Sequence, residues 1–103
     1  MTCRVFIIEH RGKKLLVLYI YNDRIHVPEE PARLRCLQHQ EKSTVILEFL
    51  TGRALTFDIV EKCTDVMSAD EIYVEVHRRD KTLRFRSSYR IGNVWYLDYI
   101  GLA

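Results

Sequence analysis

The side chains of this 103-residue chain that could do chemistry are few and scattered. Cys36 and His39 stand at CxxH spacing, the opening half of a zinc site. Structural zinc sites close with a second tight pair. The remaining donors, Cys3, Cys63, His10, His26 and His77, lie far apart in the chain, so no metal site and no cofactor are expected. His26 follows Asp23 by three residues and His77 follows Glu75 by two. Two histidines with a nearby cation could cleave RNA by acid–base catalysis, but no spacing brings them together, and a small ribonuclease ranks third among the functions considered. Glu29-Glu30 sits in a corner bracketed by Pro28 and Pro31, which reads as a loop. Gly12, Gly52, Gly92 and Gly101 are isolated, without a phosphate-cradling GxGxxG or GxxxxGK, and no serine stands in a GxSxG elbow. The expectation is a protein that binds rather than an enzyme.

Binding chemistry is more concentrated. Residues His77 to Arg90 hold six of the sixteen Lys and Arg and a single acid, Asp80. That is a local charge of +5 in a chain of net charge +2, so the remainder sums to −3. Segregated charge selects partners. Arg84, Arg86, His77 and Arg79 would project from this hairpin, with Tyr73 interleaved as a stacking surface, a pattern that suits single-stranded nucleic acid. Glu75 falls opposite Arg84 or Arg86, however, and would partly neutralise them. A pI near 8.5 is also below the value of about 9 that marks generic nucleic-acid binders. A solvated face or protein contact therefore ranks first, nucleic acid second and acidic lipid third.

The C-terminal segment adds a second surface. Tyr89, Trp95, Tyr96 and Tyr99 fall within eleven residues. Alternation puts Trp95, Leu97 and Tyr99 on one face and Tyr96, Asp98 and Ile100 on the other. Trp, Tyr and Arg dominate binding hot spots, so residues 94–100, rimmed by Arg86 and Arg90, are expected to meet a protein partner or a second copy. The expected partner-binding set is Tyr73, His77, Arg79, Arg84, Arg86, Arg90, Trp95, Tyr96 and Tyr99. The expected function is a protein-interaction or assembly module.

These groups must be carried by strands, because the hydrophobic period is two almost everywhere. Cys3–Glu9 reads as a strand, followed by a polar turn over His10–Lys13. Leu15–Tyr21 is apolar on both faces, as in a strand covered on two sides. Arg24–Val27 begins another strand. Ala32–Gln40 alternates as a strand, with a short helix after Pro31 as the alternative. Ser43–Val60 is a hairpin: a three-residue turn at Thr51–Arg53 would set Phe49 against Leu55, Leu47 against Phe57 and Val45 against Ile59. Cys63–Asp70 carries one helical turn, capped by Thr64 or Ser68. Glu71–Arg79 and Thr82–Tyr89 form a second hairpin, with Ile72, Val74 and Val76 matched by Leu83 and Phe85. Val94–Ile100 is the last strand. The fold class is all-β, a small antiparallel barrel or sandwich of eight or nine short strands with at most one short helix; the alternative is α+β with a helix at 32–40.

Length fits one domain, residues 1–103. Three cysteines form an odd set without a CxxC pair. This favours a reducing, cytoplasmic setting in which Cys36 and Cys63 pack as small hydrophobes. The run Val5-Phe6-Ile7-Ile8 is too short for a signal sequence, and no run approaches a membrane span of about 20 residues. The chain stays apolar to Ala103, whereas domains usually end in polar, frayed residues. The expectation is therefore the N-terminal domain of a longer protein.

Overall fold

The computed structural model describes residues 2–23 and 31–102. These contain β1 (Thr2–His10), β2 (Lys13–Tyr21), β3 (Ala32–His39), β4 (Lys42–Phe49), β5 (Ala54–Ile59), α1 (Cys63–Met67), β6 (Glu71–His77), β7 (Thr82–Ile91) and β8 (Val94–Leu102). All eight strands belong to one sheet in the order β1-β2-β6-β7-β8-β3-β4-β5, curled into a half-barrel. The expected strand at Arg24–Val27, the corner at Pro28–Glu30 and His26 lie outside the described residues.

Alternation builds the core. Along β6 every second residue, Ile72, Val74 and Val76, is buried, while Tyr73, Glu75 and His77 are half-buried on the other side. The same rhythm in β2, β4, β7 and β8 turns Leu16, Leu18, Val45, Leu47, Leu83, Phe85, Trp95 and Leu97 into the concave interior. Each such large side chain stabilises by about 1.5–3 kcal/mol relative to exposure. Ala32 and Leu34 are buried between Arg33 and Arg35, so the 32–40 segment is a strand and not the alternative helix.

Registers follow the expected faces with one instructive difference. In the β6–β7 hairpin Val76 pairs Leu83, Val74 pairs Phe85, Glu75 pairs Arg84 and Tyr73 pairs Arg86, as the alternation requires. In the β4–β5 hairpin Leu47 pairs Leu55 and Val45 pairs Phe57, two residues from the expected register. The turn keeps three residues but sits one position earlier, at Leu50–Gly52, with the Phe49 N–H donating to the Arg53 carbonyl (2.9 Å), the Gly52 N–H to the Phe49 carbonyl (2.9 Å) and Gly52 at φ 91. A slip of two keeps every side chain on its face, whereas a slip of one would turn the core outward. Burial therefore specified the face but not the partner. Between β1 and β2 the two-residue turn places Arg11 at φ 52 and Gly12 at φ 78, the mirror-image turn that matches strand twist.

Topology brings two further corrections. The sheet is not wholly antiparallel: β2 runs parallel to β6, with Leu18 beside Val74. The chain between them travels through β3, β4, β5 and α1 before returning, a crossover of the kind a parallel pair demands. The second correction concerns β2, which is buried on one face only. Leu16, Leu18 and Ile20 enter the core, but on the other face only Val17 is buried, while Leu15 and Tyr19 are half-covered and Tyr21 is exposed.

Cys36 and Cys63 form a disulfide (S–S 2.09 Å, Cα–Cα 5.5 Å) that joins β3 to the start of α1. This corrects the expectation of two separately packed thiols, and it fits a non-reducing setting rather than a reducing cytoplasm. Cys3 is the free thiol; burial first, and then the negative charge of Glu61, push it up to about 12. Lys62, the residue before α1, gives the helix no side-chain cap, and Ser68 closes the other end, the Ser68 hydroxyl donating to the Asp65 carbonyl (2.8 Å). Of the two expected caps, Ser68 stands at the C-terminal end and Thr64, inside the helix, at neither. Tertiary ties hold the turn instead. The Cys63 N–H donates to Gln38 Oε1 (3.3 Å), and Asp70 exchanges two bonds with the Lys14 backbone (2.8 Å each). Val66 and Met67 are buried in the core.

Candidate interaction surface

The convex face of the sheet carries the side chains that alternation sends away from the core. On β6 and β7 these are Glu71, Tyr73, Glu75, His77, Arg84 and Arg86. The expected cluster of Tyr73, His77, Arg84 and Arg86 is therefore real as a neighbourhood. Its charge is not concentrated. Arg86 Nη2 lies 3.5 Å from Glu71 and Arg86 sits opposite Asp98 of β8. Arg84 sits opposite Glu75. Glu75 also accepts from the Tyr73 hydroxyl, and its other oxygen is 2.7 Å from His77 Nε2. Burial, together with the bond to Glu75 and its charge, pushes the Tyr73 phenol up to about 12. Next along the same face, Arg33 (3.2 Å) and Arg35 share Glu48. Acids thus interleave the bases across the convex side of β6, β7, β8, β3 and β4, and the +5 of the segment is spread along a strand, a turn and two faces.

The rest of the expected set divides. Arg79 is exposed in the β6–β7 turn. Trp95 is 2% exposed and belongs to the core, so it offers almost no area to a partner. Arg90, paired with Trp95 across β7 and β8, lies over its ring at 5.7 Å. Tyr99 is half-buried against the core with its ring 5.8 Å from Phe85. Tyr96 is on the convex side, half-buried, with its ring 5.6 Å from Tyr89. The local cause is a bulge: the register breaks between Arg86 and Tyr89, and the Ser87 hydroxyl holds the break through the Tyr89 N–H (3.0 Å) and carbonyl (3.2 Å). The aromatic terminus is thus mainly core and the Arg-rich hairpin mainly a mixed-charge face. Cys36 is committed to the disulfide, which removes the thiolate from the Cys36–His39 pair.

The exposed apolar area lies elsewhere. Strand β1 is an edge of the sheet, and Phe6, Ile7 and Ile8 are 43%, 37% and 45% exposed. Phe6 and Ile8 stand on the convex face and Ile7 on the concave side, because Phe6 pairs with Val17 and Ile7 with Leu16. The convex part continues inward: the Phe6 ring is 5.8 Å from Tyr19, Tyr19 is 6.0 Å from His77, and Tyr21 stacks on His77 at 4.8 Å. Phe6, Ile8, Val17 and Tyr19 line a shallow hollow. Sequence reasoning missed this surface, although the signal was present. Val5-Phe6-Ile7-Ile8 breaks the apolar–polar alternation, which in an edge strand means apolar groups on both faces. No described helix is long and apolar enough to cross a membrane. Comparison with family models, curated proteins and solved structures finds no match.

Proposed function

We infer that this domain is a protein-interaction module and that β1, with the adjoining convex face of β2, is its contact surface. One observation carries the reading: an edge strand of nine residues presents three consecutive large apolar side chains to water. Edge strands are a pairing hazard that proteins usually blunt with charge, proline or bulges. The stretch Val5–Ile8 has none of these, and its pairing with β2 runs without a register shift. Contiguous exposed apolar area of this kind marks interaction sites. The aromatic groups behind it, Tyr19, Tyr21 and His77, add the amphipathic area that interfaces favour. The Arg-rich hairpin borders this surface and contributes His77 to it, whereas Tyr96 on β8 lies beyond β6 and β7.

The test places a photo-crosslinking phenylalanine analogue at Phe6, with a second protein carrying it at Thr56 on the opposite edge strand. Cross-links to protein in extracts of the producing cells should form from position 6 and not from position 56. Equal yields from both positions, or none from position 6, overturn the reading.

Single-stranded nucleic acid on the Tyr73/Arg84/Arg86 face is the second reading. The exposed Tyr21 ring stacked on His77 supports it, since such rings accept bases. The interleaved Glu71, Glu75 and Asp98 weigh against it.

A further inference from the structure

We propose that the Cys36–Cys63 bridge is a reducible clasp: in the folded protein a dithiol opens it, α1 lifts away from β3, and the eight-stranded sheet stays. The redox state of the bridge then sets whether the end of the core filled by Val66 and Met67 is covered.

The bridge stands where a small reductant can reach it. Cys36 and Cys63 are both half-buried, and both line a hollow shared with Gln38, Thr64 and Asn93. The hollow has a cause in the sheet. Strand β3 pairs with β8 only over Ala32–Arg35. From Cys36 to His39 its described partner is β4 alone, which leaves a gap between β3 and Asn93 of the β7–β8 turn. Exposed bridges are the labile ones. One thiolate of the dithiol attacks a bridge sulfur, the S–S bond breaks, and the other cysteine leaves as a thiolate that takes a proton. The second thiol of the reductant then displaces the mixed disulfide and frees the second cysteine, which takes the other proton. Two electrons pass to the protein, and the dithiol ends as its own disulfide.

The effect is local because the bridge holds what little else holds. Residues 60–69 run from Ile59, paired with Ser43 of β4, to Asp70, which exchanges two bonds with the Lys14 backbone of β2. Both ends stay fixed when the bridge opens. Between them only Val66, Met67 and Ala69 are buried, whereas every ordered residue costs backbone entropy. Helix α1 has five residues and no side-chain N-cap, too short to persist without tertiary ties. Its described hydrogen bond to β3 is that of the Cys63 N–H to Gln38 Oε1 (3.3 Å), an oxygen that also accepts from the Ser43 hydroxyl (2.7 Å). The ladders of β3 with β4 and β8 do not pass through the bridge. Reduction therefore separates α1 from β3 before it separates strand from strand, a sub-global opening.

Hydrogen exchange of the intact domain in non-denaturing buffer, read by mass spectrometry with and without dithiothreitol, tests this. The bridge should be reduced, and amides of residues 61–69 should exchange at least about tenfold faster, while those of β4, β6 and β8 keep their rates. Iodoacetamide should then label Cys36 and Cys63 in the folded protein. Oxidation by glutathione disulfide should restore both the bridge and slow exchange. Cys36→Ser/Cys63→Ser should show the reduced pattern without any reductant. A bridge that resists dithiothreitol until the domain is denatured overturns the proposal, as does a reduced form in which 61–69 stay protected. Loss of protection in every strand, a double variant that does not fold, or failure to reoxidise would make the bridge a staple of the whole sheet and equally overturn it. None of these readouts involves β1, so the outcome is independent of the interaction reading.

Discussion

Removing the Cys36–Cys63 bridge should cost this domain a large part of its stability, and the size of the loss follows from the loop the bridge closes. The two cysteines are 27 residues apart, enclosing the end of β3, all of β4 and β5, and the approach to α1. In the chain-entropy account, closing a loop of this length removes about 12 cal/mol/K from the unfolded ensemble, or about 3.5 kcal/mol near room temperature. A chain of this size unfolds with an entropy of roughly 0.2 kcal/mol/K. The melting temperature of Cys36→Ser/Cys63→Ser should therefore fall by about 15–20 °C. The fall should be matched by wild type in excess dithiol reductant, which gives two electrons and two protons to the bridge and is itself oxidised to a disulfide, leaving both cysteines as thiols. Differential scanning calorimetry with and without reductant measures both. Denaturation and alkylation should label one cysteine before reduction and three after it, since Cys3 is free. The region that loosens first should be residues 61–70, because α1 has no side-chain N-cap and depends on the bridge and Gln38. A loss below about 5 °C in both experiments, or three labels without reduction, would show that the bridge does not hold β3 to α1.

Three further outcomes are expected. Leu47→Ala or Phe57→Ala should destabilise by about 2–5 kcal/mol through lost transfer energy and a cavity, read by denaturant titration, because both face the concave core; wild-type stability in both would put that face outward. Tyr73 is raised above its ordinary value to about 12, so the contribution of its protonated form is intact below about pH 10. That contribution is lost as pH rises through the folded value. Ultraviolet titration should show one phenol ionising late, and Glu75→Gln should bring it earlier; no late phenol contradicts the Tyr73–Glu75 bond. Finally, if the convex face binds single strands, log affinity should fall with log salt by about 0.7 per phosphate contacted, and Arg84→Ala and Arg86→Ala should each flatten the slope. Absence of binding at low salt removes that second reading.

Much of this molecule was legible in the chain because alternation is a local property. Which residues of 43–59 and 72–86 face inward follows from a period of two, and a pairing error of two residues in the β4–β5 hairpin left that answer intact. The turn within His10–Lys13 and the helical turn within Cys63–Asp70 were readable from turn residues and the Asp-punctuated segment, whereas at 32–40 alternation favoured a strand and left a helix open.

The functional surface was not legible in the same way, because exposure is decided by what lies alongside a strand. Trp95 and Tyr99 have the composition of a hot spot, yet β8 runs between β7 and β3 and the curl of the sheet folds both rings inward. Phe6, Ile7 and Ile8 have the composition of a core strand, yet the sheet order leaves β1 at an edge with one neighbour. The segregated charge of residues 77–90 is genuine along the chain, but the sheet lays Glu71, Glu75 and Asp98 beside it. The Cys36–Cys63 bridge depends on α1 meeting β3 after the chain has made two intervening strands. Local pattern determined the faces; the long-range pairing of β2 with β6 and of β8 with β3 determined which of those faces meets water.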